Sequence, residues 1–351
     1  MEHSLDLTYH WAGFSALVVF VIAYAFVMAE EFTHLRKSKP VVLAAGLIWG
    51  MIAIAYSNTP HYEMVEHEIR HSFLEYTELA FFLLVAMTYI NALEERNVFN
   101  SLKSWLIKNQ FSYRQLFWIT GVLAFFLSPL ADNLTTALVL CAVVVAVGSS
   151  SPKFVGLACV NIVVAANAGG AFSPFGDITT LMVWQAGKLD FLQFFALVIP
   201  SVVNYIIPAS IMHFFVSDHK PDVAETSVTI KYGGKTIILL GLLTIVTAVS
   251  FHNFLHLPPV FGMMTGLAYL QLYSFYIKIS VKDIEEQKYD FFENVARVEW
   301  DTLLFFFGVI LSVGGLGFIG YLEYVSEFMY TDLGATTVSY THLRAHETKW
   351  H

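Results

Sequence analysis

The apolar residues of this 351-residue chain are gathered into blocks of 16–25 residues, and that block length limits the fold more than any motif does. A helix rises 1.5 Å per residue, so such blocks are roughly 24–38 Å long, enough to cross a bilayer core of about 30 Å. They run over 11–29, 41–56, 78–93, 154–172, 191–215, 236–251, 258–277 and 301–321. The expected fold class is therefore an all-α polytopic membrane protein. Composition agrees: 56% of residues are hydrophobic and 13% charged, whereas soluble domains sit near 45–50% and 25%. That ratio excludes an ordinary cytosolic enzyme, and 31 Phe, 17 Tyr and 7 Trp exclude a disordered chain. No basic stripe is present, so nucleic acid is not an expected partner and membrane lipid is. Cys141 and Cys159 lie inside apolar segments without metal-ligand spacing and read as small core residues. The start, MEHSLDLTYHW, has no basic region of the kind a secretory signal carries.

One apolar stretch, 116–147, is too long for one span and is interrupted at Ser128-Pro129-Leu130-Ala131-Asp132-Asn133. Loop charges decide how it runs. Lys and Arg concentrate in 31–40, 94–115, 216–235 and 278–300, which the positive-inside rule places in the cytoplasm, with the N-terminus outside. That assignment closes only if 116–147 enters from the cytoplasm and returns to it as a re-entrant hairpin, with Pro129 breaking its helix.

The chain also resembles itself. Residues 74–85 align without gaps on 298–309, an offset of 224, with Glu75/Glu299, Leu79/Leu303, Phe81/Phe305, Phe82/Phe306 and Val85/Val309 identical. The two segments are predicted to cross in opposite directions, which marks an inverted-topology repeat, a common plan of secondary transporters. The expected organisation is a first repeat over 1–215, a cytoplasmic connection over 216–235 and a second repeat over 236–337. The offset puts a partner for Asp132-Asn133 near position 356, past His351. Residues 338–351 (VSYTHLRAHETKWH) leave the apolar pattern abruptly, resemble translated adaptor sequence and are expected to be non-native, so the second repeat is expected to be incomplete.

Two polar clusters interrupt the apolar background. Asp132 is the sharper signal, because a carboxylate at the bilayer centre costs about 2.5–3.5 kcal/mol even on lenient insertion scales and so marks a cavity, an ion path or a partner. Asn133, Thr135 and Thr136 add neutral oxygens, and one anionic oxygen with several neutral ones suits a small hard cation such as Na⁺ or Li⁺. The bland alternative is a loop pinned by an Asx turn. The second cluster runs from Asn161 and Asn167 through Gly169-Gly170 and Ser173-Pro174 to Gly176, Asp177, Thr179 and Thr180. Its alternative is an extracellular loop with an exposed Asp177. Glu78 opens a span and reads either as a proton relay or as an interfacial residue; Glu75, Glu299 and Asp301 read as span ends.

A different chemistry is suggested by His67-Glu68-Ile69-Arg70-His71, an H-E-x-x-H pattern that on a helix aims two imidazoles at zinc with Glu68 as base. Its setting among carboxylates favours a solvated amphipathic helix, and a membrane zinc protease remains a remote alternative. His213, His252 and His256 sit at span ends.

Three segments, 74–99 (LEYTELAFFLLVAMTYINALEERNVF), 126–140 (FLSPLADNLTTALVL) and 167–184 (NAGGAFSPFGDITTLMVW), resemble the NhaD-type sodium/proton antiporters of the ion transporter superfamily. The resemblance runs from about residue 3 to 337. It implies a bacterial inner-membrane protein, often dimeric, that exchanges Na⁺ or Li⁺ for protons without a resident cofactor. Functional positions carry over to Glu78, Asp132, Asn133, Thr135, Asn167, Asp177, Thr179 and Thr180. Asp132 and Asp177 are expected to bind either a dehydrated Na⁺ or protons, so that competition couples the two fluxes. The rival within the superfold is a carrier of dicarboxylates or arsenite, whose anionic substrate a buried Asp would repel.

Overall fold

The computed structural model describes residues 6–109, 111–148, 151–220, 228–280 and 289–327. The expected non-native tail, 338–351, lies outside them. Every regular element among these residues is helical, and nine helices are long and apolar enough to cross a membrane. The protein is an all-α, multi-pass membrane protein.

The helices face the way lipid requires. On α10 (Val198–His213) the exposed residues Ile199, Val203, Ile207 and Ile211 recur every fourth position, while Ser201, Tyr205 and Ala209 are buried. Apolar side chains outward and small or polar ones inward invert a water-soluble helix.

The chain forms two compact units. The first takes residues up to Leu83 together with those from Glu299 onward. In it α1 (Trp11–Met28) packs on α3 (Ser38–Tyr56), and α3 packs on α14 (Trp300–Ile319). The Trp49 indole donates to the Leu311 carbonyl at 2.8 Å, and the Ser38 hydroxyl donates to Asp301. The short α2 (Glu30–Thr33) and α15 (Tyr321–Glu327) belong to the same unit.

The second unit spans Leu84–Val298. It holds α5 (Val98–Lys108), α6 (Tyr113–Ala131), α7 (Asn133–Val147), α8 (Pro152–Gly170), α9 (Ile178–Gln185), a 3₁₀ turn over Phe191–Leu197, α10, α11 (Gly234–Leu255), α12 (Pro259–Ser280) and α13 (Phe291–Ala296). α11 and α12 pack together, and the Tyr89 hydroxyl joins them by donating to the Gly266 carbonyl and accepting from Thr244.

Tyr89 lies on α4 (Tyr62–Glu95), one continuous helix of 34 residues. The sequence places the span at 78–93, but the helix starts sixteen residues earlier and is about 51 Å long. Its first turns carry contacts at helical spacing, an ion pair of Glu66 with Arg70 at 2.7 Å and an approach of His71 to Glu75 at 3.6 Å.

Helix boundaries recur at the repeat offset. Shifted by 224, α1 falls at 235–252 within α11, α3 falls at 262–280 within α12, and the last residue of α4 falls on the last of α14. The compact units follow a different division: α14 packs with α3, whereas the end of α4 packs with α11 and α12.

Three of the positively charged segments are tied together in the second unit. The Lys231 amide donates to Arg96 O, the Tyr113 amide donates to His219 O, and the Ser112 hydroxyl donates to Asp218. The Arg96 side chain is fully buried, pairs with Glu95 at 2.9 Å and lies over the Tyr289 ring at 4.8 Å. Charge counting grouped these segments on one face, and they share one end of the unit.

Candidate ion-binding site

The 116–147 stretch breaks where its sequence is polar, though Pro129 is not the breaking residue. α6 continues through Pro129 to Ala131, and the chain turns at Asp132, with φ 56° and ψ 158°. α6 runs on past Pro129, which has no amide hydrogen to give the helix, and is tied at this point to its neighbour α8: the fully buried Ser128 hydroxyl donates to the Ala166 carbonyl at 2.6 Å.

Both arms return to the same end. Tyr113, opening α6, meets the Phe154 ring at 4.4 Å, and Gly148, just after α7, is packed so tightly on the same ring that a Cβ would lie 2.7 Å from it. The stretch is therefore a helical hairpin with Asp132 at its tip.

A second break lies against this tip. α8 ends at Gly170, the chain runs irregularly through Phe172–Gly176, and α9 begins after Asp177. The crossing is held by backbone as well as side chains. The Asn133 amide donates to Gly176 O at 2.9 Å, and the buried Ser173 hydroxyl donates to Pro129 O at 2.8 Å. Gly170 and Gly176 touch backbone to backbone, so a Cβ on Gly170 would sit 2.5 Å from the Gly176 oxygen. That contact accounts for Gly170 and Gly176, and Gly169 backs onto the Phe125 carbonyl, which a Cβ would strike.

Each break places a carboxylate on a helix N-terminus. Asp132 accepts from the Thr135 amide at 2.7 Å and the Thr135 hydroxyl at 2.8 Å, capping α7. Asp177 accepts from the Thr179 amide and hydroxyl, both at 2.8 Å, capping α9. The local capping expected of the alternative at Asp132 is thus present, and Asp177 caps its helix in the same way. What it leaves unexplained is Asn133, whose amide nitrogen donates to the Asp177 carboxylate at 2.7 Å and to the Asn167 side-chain oxygen at 3.0 Å. The Thr180 hydroxyl lies 2.8 Å from the carbonyls of Ser173 and Asp177.

The structure therefore brings Asp132, Asn133, Thr135, Asn167, Asp177, Thr179 and Thr180 to one place. Both carboxylates are half-buried, and Asn167 and Thr179 are exposed. Glu78, half-buried on α4, belongs to the other unit. The contribution of Ser128 and Ser173 was hidden in the sequence, because each acts through a carbonyl more than thirty residues away. The oxygens gathered here are carboxylate, amide, hydroxyl and carbonyl, a hard donor set.

The zinc pattern gains no support. His67 and His71 are exposed on α4, and among the described residues no three His, Cys, Asp or Glu side chains come together as a metal site.

The sequence profile of the citrate-transporter family, CitMHS, matches residues 11–343. A "Na(+)/H(+) antiporter NhaD" of Vibrio cholerae is 52% identical over 350 residues, covering 94% of this chain and 73% of the relative. One from Alkalimonas amylolytica is 51% identical over 356 residues, covering 95% and 74%. The chain belongs to the NhaD-type antiporter family. A plant protein is similar at a lower level: "Sodium/proton antiporter 1" of Arabidopsis thaliana is 30% identical over 322 residues, 89% of this chain and 54% of its own length. The NhaD family is one of transporters, so the chain is not an enzyme.

Proposed function

We propose that the protein exchanges Na⁺ or Li⁺ for protons across the bacterial inner membrane, with its N-terminus in the periplasm. The observation that carries this reading is the pair of acid-capped breaks bridged by Asn133. Four helix ends converge there. The ends of α6 and α8 present carbonyls, worth about half a negative charge each, and the starts of α7 and α9 present about half a positive charge each. These cancel roughly, so the two carboxylates set the charge of the site. Such a site takes up a cation or protons and disfavours holding both, which couples one flux to the other.

Asp132 and Asp177 are the groups that exchange Na⁺ for protons. Asn133, Thr135, Asn167, Thr179 and Thr180 supply neutral oxygens and hold the two breaks in register. Glu78 serves as a relay for protons. No resident cofactor is required, nucleic acid has no part, and the working assembly in the lipid bilayer is a homodimer. The helices recurring at offset 224 support two inverted repeats, with 1–215 holding the first and 236–337 belonging to the second, joined by a cytoplasmic 216–235.

Everted membrane vesicles test this reading. Na⁺ should drive proton release with the parent protein, and Asp132→Asn should insert normally and release none. Full release by that variant would remove Asp132 from the mechanism. The description of the matching profile as a citrate transporter favours a second reading, an anion carrier. Uptake of citrate that uses Na⁺ only as a co-ion would establish it.

A further inference from the structure

At the end of the second unit where the basic segments meet, α6 begins, α10 ends and a cavity of about 570 Å³ opens between them. Arg114 and Lys220 line it, and among the described residues the one carboxylate in its wall, Asp218, already accepts a bond from Ser112 at 2.8 Å. The described lining therefore carries an excess of positive charge. Its other side is aromatic. The Trp118 indole lines it and is fixed by donating to His213 Nδ1 at 3.0 Å.

An apolar path leaves the cavity along the outer face of α6. Ile119, which lines the cavity, is followed at helical spacing by the exposed Val122, Phe126 and Leu130. Beside the cavity, Phe214 and Phe215 at the end of α10 are exposed as well. A cationic hollow at a helix end, a tryptophan at its lip and an apolar stripe running from it down a membrane-spanning helix match one kind of molecule.

We infer that this cavity binds the headgroup of an anionic phospholipid, with Arg114 and Lys220 on the phosphate and an acyl chain along Ile119, Val122 and Phe126. Basic hollows between spanning helices on the cytoplasmic side recognise such headgroups, and Trp favours the interface. The apolar stripe decides for a lipid over a free phosphate, which would leave it unused. The site lies on the hairpin arm that carries Asp132 at its far end, so an occupied cavity braces the start of α6 against the end of α10. The proposed orientation supplies only the name of the face; the cavity, its charges and its stripe do not depend on it, nor on cation exchange.

The test is lipid retention by the purified full-length protein, read by native mass spectrometry after delipidation and addition of phosphatidylglycerol or phosphatidylcholine. Phosphatidylglycerol should be retained in preference, and Arg114→Gln/Lys220→Gln should weaken that retention roughly 30-fold. Lys103→Gln/Lys108→Gln, which removes the same charge from the same end outside the cavity, should retain it and shows that the loss is local. Equal retention of both lipids, or equal loss in the two double variants, would overturn the inference. Displacement of phosphatidylglycerol by millimolar inorganic phosphate would overturn it in favour of a free anion. Because no transport is measured, an inactive cation site leaves the result readable.

Discussion

The two chain breaks both end in a carboxylate that caps a short helix, yet they are built differently. Asp177 has ordinary extended backbone, with φ −152°, and its carboxylate reaches out of its own break to the Asn133 amide. Asp132 sits at φ 56° and ψ 158°, a region that side-chain-bearing residues rarely occupy, and its carboxylate caps its own helix by accepting from the Thr135 amide and hydroxyl. A non-glycine residue held there costs about 1–3 kcal/mol and persists only where surrounding structure enforces it. The enforcing contacts are the bonds from Asn133 and Ser173 across the crossing. One break is thus strained, and the other is the clamp that holds it.

The largest expected effect falls on exchange itself. Asp132→Asn and Asp177→Asn should each reduce Na⁺-driven proton release to background while the protein inserts normally, as judged by its level in washed membranes. If only one were inactive, the breaks would not share a site.

Next comes the clamp. Gly170→Ala would drive a Cβ into the Gly176 carbonyl, backbone against backbone, and should destabilise the protein by about 1–3 kcal/mol or more. A thermal midpoint equal to the parent's would mean that the crossing is loose.

The sharpest contrast lies in glycine substitutions at the two acids. Asp132→Gly relieves the backbone and loses little as a cap, so stability should be unchanged or higher by up to about 2 kcal/mol, with exchange abolished. Asp177→Gly relieves nothing and loses the charged bond to Asn133, and should cost about 1–3 kcal/mol. Denaturation of both variants in detergent would sharpen the distinction or erase it. The smallest effect is that of Thr135→Val, which removes one hydroxyl bond to Asp132 and should cost about 1 kcal/mol.

Much of this arrangement was legible in the sequence because bilayer solvation makes local composition informative. A polar run inside an apolar stretch has few uses, so the Ser128–Asn133 and Gly169–Thr180 segments marked both breaks. Charge counting likewise anticipated a hairpin whose arms return to one end, which Tyr113 and Gly148 display by meeting at Phe154.

What the sequence hid depends on contacts between distant residues. Pro129 reads as a helix breaker, but Ser128 and its bond to Ala166 lie in a helix that runs past it, and the turn falls at Asp132. Asn133 reads as one more neutral oxygen, whereas its nitrogen is the group that joins the breaks, through a partner 44 positions away. The sequence reads 63–78 as a solvated amphipathic helix and 78–93 as a span, and hides that they are one helix, because charged residues end a hydropathy block without ending a helix. Pairs such as Glu66 with Arg70 sustain the helix in solvent.

The central claim is that Asp132 and Asp177 bind either Na⁺ or protons. Its most direct test is proton release from the purified, unbuffered protein on addition of NaCl, compared with choline chloride at the same ionic strength. The account predicts that Na⁺ and Li⁺ release protons, that choline does not, and that Asp132→Asn/Asp177→Asn abolishes the release. Na⁺ binding without proton release, or release undiminished in the double variant, would contradict it.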